Sequence, residues 1–384
     1  EMSYEQAYFR TSRWSIQDYL TEQHNRWRPW LIEGQAKPEL KDIFPEKGDS
    51  TVFPPGWTDL TESLGGTNAA FRQVREQLFA DWFGVPEERI RTVEHHLSHA
   101  YYSYYASNFR GEAVLAITLD GWGDGLNFTL GYFDEFGKYS RITQSSECAI
   151  ARIYRYMTLA LGMKPNEHEY KVMGLAPYGE SRQGYEVYEI FRDTLRVSGT
   201  DFIWKTKPND SYFWFRDRLE GYRFDAIAFG LQHWVEDLVL QIVRAGIQHT
   251  GLRKVVLSGG VAMNVKAMGR LCELAELEEV FVGGTPADDT LAVGAAYSAL
   301  EDLTTDQGGA WDSRTVPPLS SLYLGADVSE KDQAQAISSL STDKYEVHHA
   351  PSHSEIAGIL ASGKILGRCV GRMEFGQRAI GNRS

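Results

Sequence analysis

The sequence predicts an α/β protein, and three stretches carry that prediction. Residues 254–303 alternate strand and helix (KVVLSGG, NVKAMGRLCEL, EVFVGG, LAVGAAYSALEDL), which implies a parallel or mixed sheet covered on both faces. AVLAITLD at 113–120 is an apolar, β-rich run ahead of a glycine turn. The spacing from Asp225 to His249 is that of one long helix stopped by Gly251.

The other elements follow in chain order. Residues 1–65 are rich in Trp, Tyr, Pro and charge without a clean period, and read as irregular surface structure. Ala70, Phe71, Val74, Leu78 and Phe79 share one helical face within 67–83, ended by Gly84 and Pro86. A second helix is expected from about His96 to Ser107. After AVLAITLD and its turn, LNFTLGYFDEFGKYSRIT alternates in strand fashion with a turn at Glu135 to Gly137, so the three strands form a meander. Helical patterns occupy 148–162 and 166–175. The stretch 304–322 is polar with Gly and Pro and reads as a connecting loop, after which a new unit begins.

Bulk properties narrow the function. A chain of 384 residues at 42% hydrophobic and 24% charged is long enough for two or three packed units. Its net charge of −13, without a basic stripe, argues against a nucleic-acid partner. Cys148, Cys272 and Cys369 lie far apart in no CxxC pair, so neither a disulfide framework nor a zinc ribbon is expected, and a reducing cytoplasm fits. Apolar runs fall well short of the roughly 20 residues needed to span a bilayer. The opening EMSYEQAYFR lacks the pattern of a secretory signal.

His95 and His99, in EHHLSHA, are four apart and share one helix face, a geometry that lets two imidazoles hold one metal ion. His96 lies about 100 degrees away and is read instead as a group for substrate or a reacting carbonyl. Asp120 closes the AVLAITL strand and opens the DGWGDG turn, where Gly121, Gly123, Asp124 and Gly125 suit phosphate oxygens or a metal carboxylate; a plain hairpin is the alternative. Gly259 and Gly260 follow a buried strand and open a helix, so a ligand could approach the backbone there, although a sharp turn has the same signature. A second strand ends at TPADD, which brings Thr285, Asp288 and Asp289 to the same sheet edge, with helix capping the other use for either aspartate. Two imidazoles with one or two carboxylates suit iron(II), zinc or manganese. Glu169 and Lys171 read first as a solvated helix face. Arg378 and Arg383, among glycines, suit bidentate capture of phosphate or carboxylate.

Taken in order, HHLSHA, LDGWGDG, EYKVMGLAPYG, LSGGVAMN, PADD with LAVGAA, and GRMEFGQRAIGNRS resemble the O-carbamoyltransferases that modify antibiotics, nodulation factors and related natural products, over roughly residues 67–384. The resemblance implies the actin, heat-shock ATPase and sugar-kinase fold, with two related subdomains and kinship to the tRNA threonylcarbamoyl-transfer proteins. It implies three regions: 1–65; a metal- and nucleotide-binding transfer domain over 66–322; and, over 323–384, the start of a carbamoyl-adenylate-forming domain cut short at Ser384. It further implies that carbamoyl phosphate and ATP give carbamoyl adenylate, whose carbamoyl group passes to a hydroxylated small molecule. His95, His99, Asp120 and Asp288 would bind iron(II) or another divalent ion, with magnesium a further possibility beside ATP. The adenylate would be held by Gly259, Gly260 and Asn264, with Thr285 and Glu169, and Lys171 lining the same crevice. His96, Asp120 and Lys171 would serve catalysis.

Two departures stand out. Residues 1–65 lack the strand and Asp-containing hairpin that open such proteins, and Gln377 and Ile380 alter the FGPRALG signature. A homodimer is compatible with this reading, and neither nucleic acid nor membrane is expected. The rival readings are a tRNA threonylcarbamoyltransferase, a non-catalytic nucleotide-binding module, and a plain ATPase or sugar kinase.

Overall fold

A computed structural model of the chain describes residues 79–317 continuously, with 28–30, 33–36, 76–77, 319, 321–340, 344, 351–366 and 371–376. The chain divides into two compact units, Glu1–Pro318 and Leu319–Ser384. In the first, helix α1 (His95–Ala106) precedes strands β1 (Val114–Gly123), β2 (Leu126–Phe133) and β3 (Tyr139–Ser145). Helices α2 (Ile150–Ala160), α3 (Glu169–Leu175) and α4 (Arg182–Arg192) follow, then a hairpin of β4 (Leu195–Ser198) and β5 (Asp201–Trp204). The unit closes with α5 (Ser211–Leu219), α6 (Phe224–Thr250), β6 (Lys254–Ser258), α7 (Val265–Leu271), β7 (Glu279–Val282) and α8 (Leu291–Asp306). The second unit holds α9 (Glu330–Ser338) and α10 (His353–Ala361), each started by a capping box, Ser329 with Asp332 and Ser352 with Glu355.

The first unit is built on a mixed five-stranded sheet in the order β3-β2-β1-β6-β7, antiparallel across β3, β2 and β1 and parallel across β1, β6 and β7. Strand alternation divides β1 between two layers. Leu115, Ile117 and Leu119 enter the larger core with Trp234, Leu238 and Ile242 of α6 and Ile153 and Met157 of α2. Val114 and Ala116 enter the smaller core with Ala100, Tyr101, Tyr104 and Tyr105 of α1. Continuing the even positions puts Thr118 and Asp120 on the α1 side. That parity brings the carboxylate beneath the histidines.

Several expectations meet the structure directly. The meander, the alternating strands and helices and the long α6 are present, and Gly251 ends α6 at φ 74° with its N–H donating to the Ile247 carbonyl at 2.8 Å. Of the helix expected over 67–83, the described residues 76–77 and 79–83 are helical. The stretch 304–322 is only partly a loop. α8 runs on to Asp306, and Ser313 is buried, taking the Phe136 carbonyl at 3.0 Å while Tyr104 meets its hydroxyl at 3.1 Å. α4, the β4–β5 hairpin and α5 carry no reading from sequence: strands of four residues are too short to display a period, although α4 does carry one, with Val187 and Phe191 buried on one face. No described helix is long and apolar enough to cross a membrane.

Candidate metal centre

α1 begins at His95 because Glu94 caps it, its carboxylate accepting from the N–H of His96 at 3.0 Å and of Leu97 at 2.8 Å. Arg141, reaching over from β3, fixes that carboxylate by an ion pair. Asp124, in the turn after β1, accepts from the His95 N–H at 2.8 Å. Asp124 stands at φ 50°, a left-handed conformation costly for a residue with a Cβ. Its carboxylate therefore secures the turn to the helix start, where the sequence had assigned it to a cofactor.

Four side chains converge at this point. His95 Nε2 lies 3.3 Å from Asp120 Oδ2 and 3.6 Å from Asp288 Oδ1, and His99 Nε2 lies 3.3 Å from the same Asp288 oxygen. One donor atom from each of the four residues falls within 4.8 Å of the others. His95, His99 and Asp120 are buried, whereas the side chain of Asp288 is 63% exposed. His99 Nε2 is shut away from solvent and makes no hydrogen bond. A buried ring nitrogen without a hydrogen-bonding partner, facing carboxylates, suits a metal ligand.

The pKa shifts follow the geometry. Burial works to lower His95, but the Asp120 hydrogen bond and the charges of Asp120 and Asp288 outweigh it and raise the imidazole. Burial works to raise Asp120, yet the hydrogen bond from His95, the neighbouring His99 and His95 rings and the N–H of Gly260 hold it well below the usual carboxylate range. His96 is lowered to about 4 by burial and by its neighbours His95 and His99.

The remaining residues expected at the site fall into distinct positions. His96 is 0% exposed and turns onto the sheet, its Nδ1 2.7 Å from the Thr118 hydroxyl, which lies 2.6 Å from that of Thr129. That placement suits seating α1 on the sheet better than meeting an acceptor hydroxyl. Gly123 lies under the His95 ring, where an added Cβ would fall 2.0 Å from ring carbon Cγ. Gly259 adopts φ 95°, and a Cβ there would lie 2.2 Å from the Leu119 carbonyl oxygen. Sequence reasoning offered the Gly259 and Gly260 amides to an anion, and in the structure both already have partners. Gly259 N–H already donates to the Pro286 carbonyl at 2.8 Å and Gly260 N–H to Asp120 Oδ1 at 2.7 Å. The glycines supply close approach. Gly121 and Gly125 face open space.

Asn264 pairs twice with Gln232, at 2.8 and 3.0 Å, and caps α7 by accepting from Ala267 N–H at 3.0 Å. Thr285 is buried and donates to Asp289. Glu169 accepts from the Asn166 N–H at 2.6 Å, and Lys171, exposed, sits 3.0 Å from a ring nitrogen of His168. Arg378 and Arg383 lie outside the described residues.

Sequence reasoning missed Ser258. Its hydroxyl donates to the Pro286 carbonyl at 3.0 Å and lies 3.2 Å from His99 Nδ1, so it can accept only from a protonated Nδ1. That contact leaves His99 Nε2 as the lone-pair nitrogen facing Asp288. The signal was the SGG sequence, which drew attention to its glycines.

Comparison with known proteins bears on this site. The model of the carbamoyltransferase N-terminus family matches residues 79–297. An uncharacterized protein of Methanocaldococcus jannaschii is 29% identical over 95% of this chain and 61% of its own length. Nodulation protein NolNO of Sinorhizobium fredii is 30% identical over 80% of this chain and 45% of its own. A 3'-hydroxymethylcephem-O-carbamoyltransferase of Amycolatopsis lactamdurans is 23% identical over 86% of this chain and 61% of its own. The chain spans about half the length of the curated relatives it matches.

Proposed function

This chain belongs to the carbamoyltransferase family, and from that premise we propose that it carries the transfer centre of an O-carbamoyltransferase. The observation that carries the reading is the convergence of His95, His99, Asp120 and Asp288 on a point within reach of all four. Two imidazoles and two carboxylates, one ring nitrogen buried without a hydrogen bond, fit iron(II), zinc or manganese. When bound, such an ion supplies Lewis acidity toward a carbonyl or phosphate oxygen and orients the acceptor alcohol.

The chain's own residues supply the frame. Ser258 sets the His99 ring, Asp120 ties the 259–260 turn to β1, and Gly123 admits the His95 ring. The donor is carbamoyl adenylate, formed from carbamoyl phosphate and ATP. The acceptor oxygen forms a bond to the carbamoyl carbon as the bond to phosphate breaks, AMP leaves, and the hydroxyl proton passes to solvent. Glu169, Lys171 and Asn264 are proposed on the nucleotide side, within an actin-like architecture that the mixed sheet supports. The unit Leu319–Ser384 is proposed to belong to the adenylate-forming domain.

The test supplies the chain with iron(II) or zinc, carbamoyl adenylate and a panel of hydroxylated natural products, and follows each by mass spectrometry. A gain of about 43 Da, the mass of carbamoyl replacing hydrogen, that disappears in His99→Ala is expected. No gain on any alcohol, with the metal bound and the adenylate intact, overturns the reading.

A further inference from the structure

Two arginines on α2, Arg152 and Arg155, stand one turn apart, and among the described residues neither has a carboxylate within 4.0 Å. The chain has 52 acidic and 39 basic residues, yet none of the described carboxylates meets this pair. Both arginines are half-buried, and Arg155 Nε is shut away from solvent without a hydrogen-bond partner. A buried donor left unmet costs about 1–3 kcal/mol. The position therefore suits an incoming acceptor. Burial, with the like charge of Arg155, also pulls the Arg152 guanidinium below its usual value.

Arg152 is linked to the candidate metal site through Trp122. The Arg152 guanidinium lies 5.0 Å from the centre of the Trp122 ring, and Trp122, in the DGWGDG turn, is 45% exposed. The backbone N–H of Trp122 donates to Asp120 Oδ2 at 3.3 Å. Trp122 thus meets the cation with its ring and Asp120 with its backbone. α2 also packs against β1 and the 260–263 turn, the two segments that hold Asp120. A guanidinium stacked on an indole keeps its planar fork oriented for a two-oxygen partner.

We propose that Arg152 and Arg155, with Trp122 as a flat wall, form an anion subsite that takes a phosphate or carboxylate oxyanion of a substrate bound at the metal cluster. This rests on reading the cluster as a transfer centre. Two sources carry the same chemistry: the phosphate of the carbamoyl donor and an acidic group on the acceptor.

The test titrates the full chain, metal-free and with zinc, with inorganic phosphate, AMP and glycerate by calorimetry. Wild type is compared with Arg152→Gln/Arg155→Gln and Arg152→Lys/Arg155→Lys. Phosphate binding by the metal-free wild type is expected, weakened roughly tenfold or more by the Gln pair and less by the Lys pair. A phosphate-induced change in tryptophan emission that is absent in Trp122→Phe places the anion against that ring. Weaker AMP binding in the Gln pair assigns the donor as source, and weaker glycerate binding assigns the acceptor.

The proposal is overturned if wild type binds none of the three probes, or if all three bind wild type and the Gln pair alike. Where circular dichroism shows the Gln pair misfolded, Arg155→Gln alone takes its place under the same criteria. The titration requires no turnover. Failure of carbamoyl transfer therefore removes the functional reading without deciding the subsite, and equal anion affinity with transfer intact removes the subsite alone.

Discussion

The metal cluster and the proposed nucleotide side differ in what their side chains already do. His95 and His99 on α1, Asp120 on β1 and Asp288 on the Asp288–Thr290 turn come from three separate places in the chain and converge, leaving a buried ring nitrogen without a hydrogen bond. Asn264, Glu169 and Lys171 are each engaged by a neighbour: Asn264 by Gln232 and a helix start, Glu169 by Asn166, Lys171 by His168. Convergence of long-range groups at the expense of local satisfaction marks a ligand site, because folding alone does not reward it. Local satisfaction marks residues whose loss the fold itself feels.

Substitutions test this contrast, beginning with the largest effect. His99→Ala should weaken zinc binding about a thousandfold, roughly 4 kcal/mol, with little change in the fold of the metal-free protein. Elemental analysis after dialysis against zinc checks it, and retention of metal at wild-type stoichiometry would break the contrast. Gly259→Ala should destabilise by about 3 kcal/mol, since φ 95° and the Leu119 carbonyl both oppose a Cβ. Denaturant unfolding reads that cost.

Acidification of the metal-free protein comes next. His96 is held at about 4 when folded against 6.5 as a free side chain, so below pH 6.5 the unfolded chain binds a proton that the folded chain refuses. Stability is lost as pH falls from 6.5 toward 4, by up to about 3 kcal/mol for this group. Asp120, depressed in the fold, adds its own loss at lower pH, whereas His95, raised, contributes stability at low pH that disappears as pH rises through its folded value. Melting curves of His96→Gln should show a shallower fall than wild type over that window; identical slopes would remove His96 from the account.

Ser258→Ala should weaken zinc binding by about 10- to 100-fold through a freed His99 tautomer, with stability nearly unchanged. The ring nitrogen shifts of His99 in the metal-free protein would report the tautomer change directly. Asn264→Ala should cost about 1 kcal/mol of stability as a lost cap, leaving zinc affinity alone. If it also raises the KM for carbamoyl adenylate while kcat holds, the nucleotide side gains a functional member and the contrast narrows.

Much of the cluster was legible because it depends on short-range rules. A four-residue spacing puts His95 and His99 on one face, and an even position on a strand puts Asp120 on the same side as Thr118. What was hidden depends on pairings far apart in sequence. The role of Ser258 follows from the parallel register of β1 with β6, which sets Thr118 opposite Ser258. The hold on Glu94 comes from Arg141, 47 residues away. The engaged amides of Gly259 and Gly260 could not be foreseen either, since their partners, Pro286 and Asp120, arrive from the loop after β7 and from β1.

Asp288 differs from the other three members of the cluster in standing 63% open to solvent, on a short turn outside the sheet. Entry, exchange and choice of ion would then all be governed at one replaceable position. A buried half would confer affinity, and the peripheral carboxylate would act as the latch. Re-engineering toward a softer ion therefore begins with Asp288→His or Asp288→Cys, at a site where a new side chain disturbs no packed core.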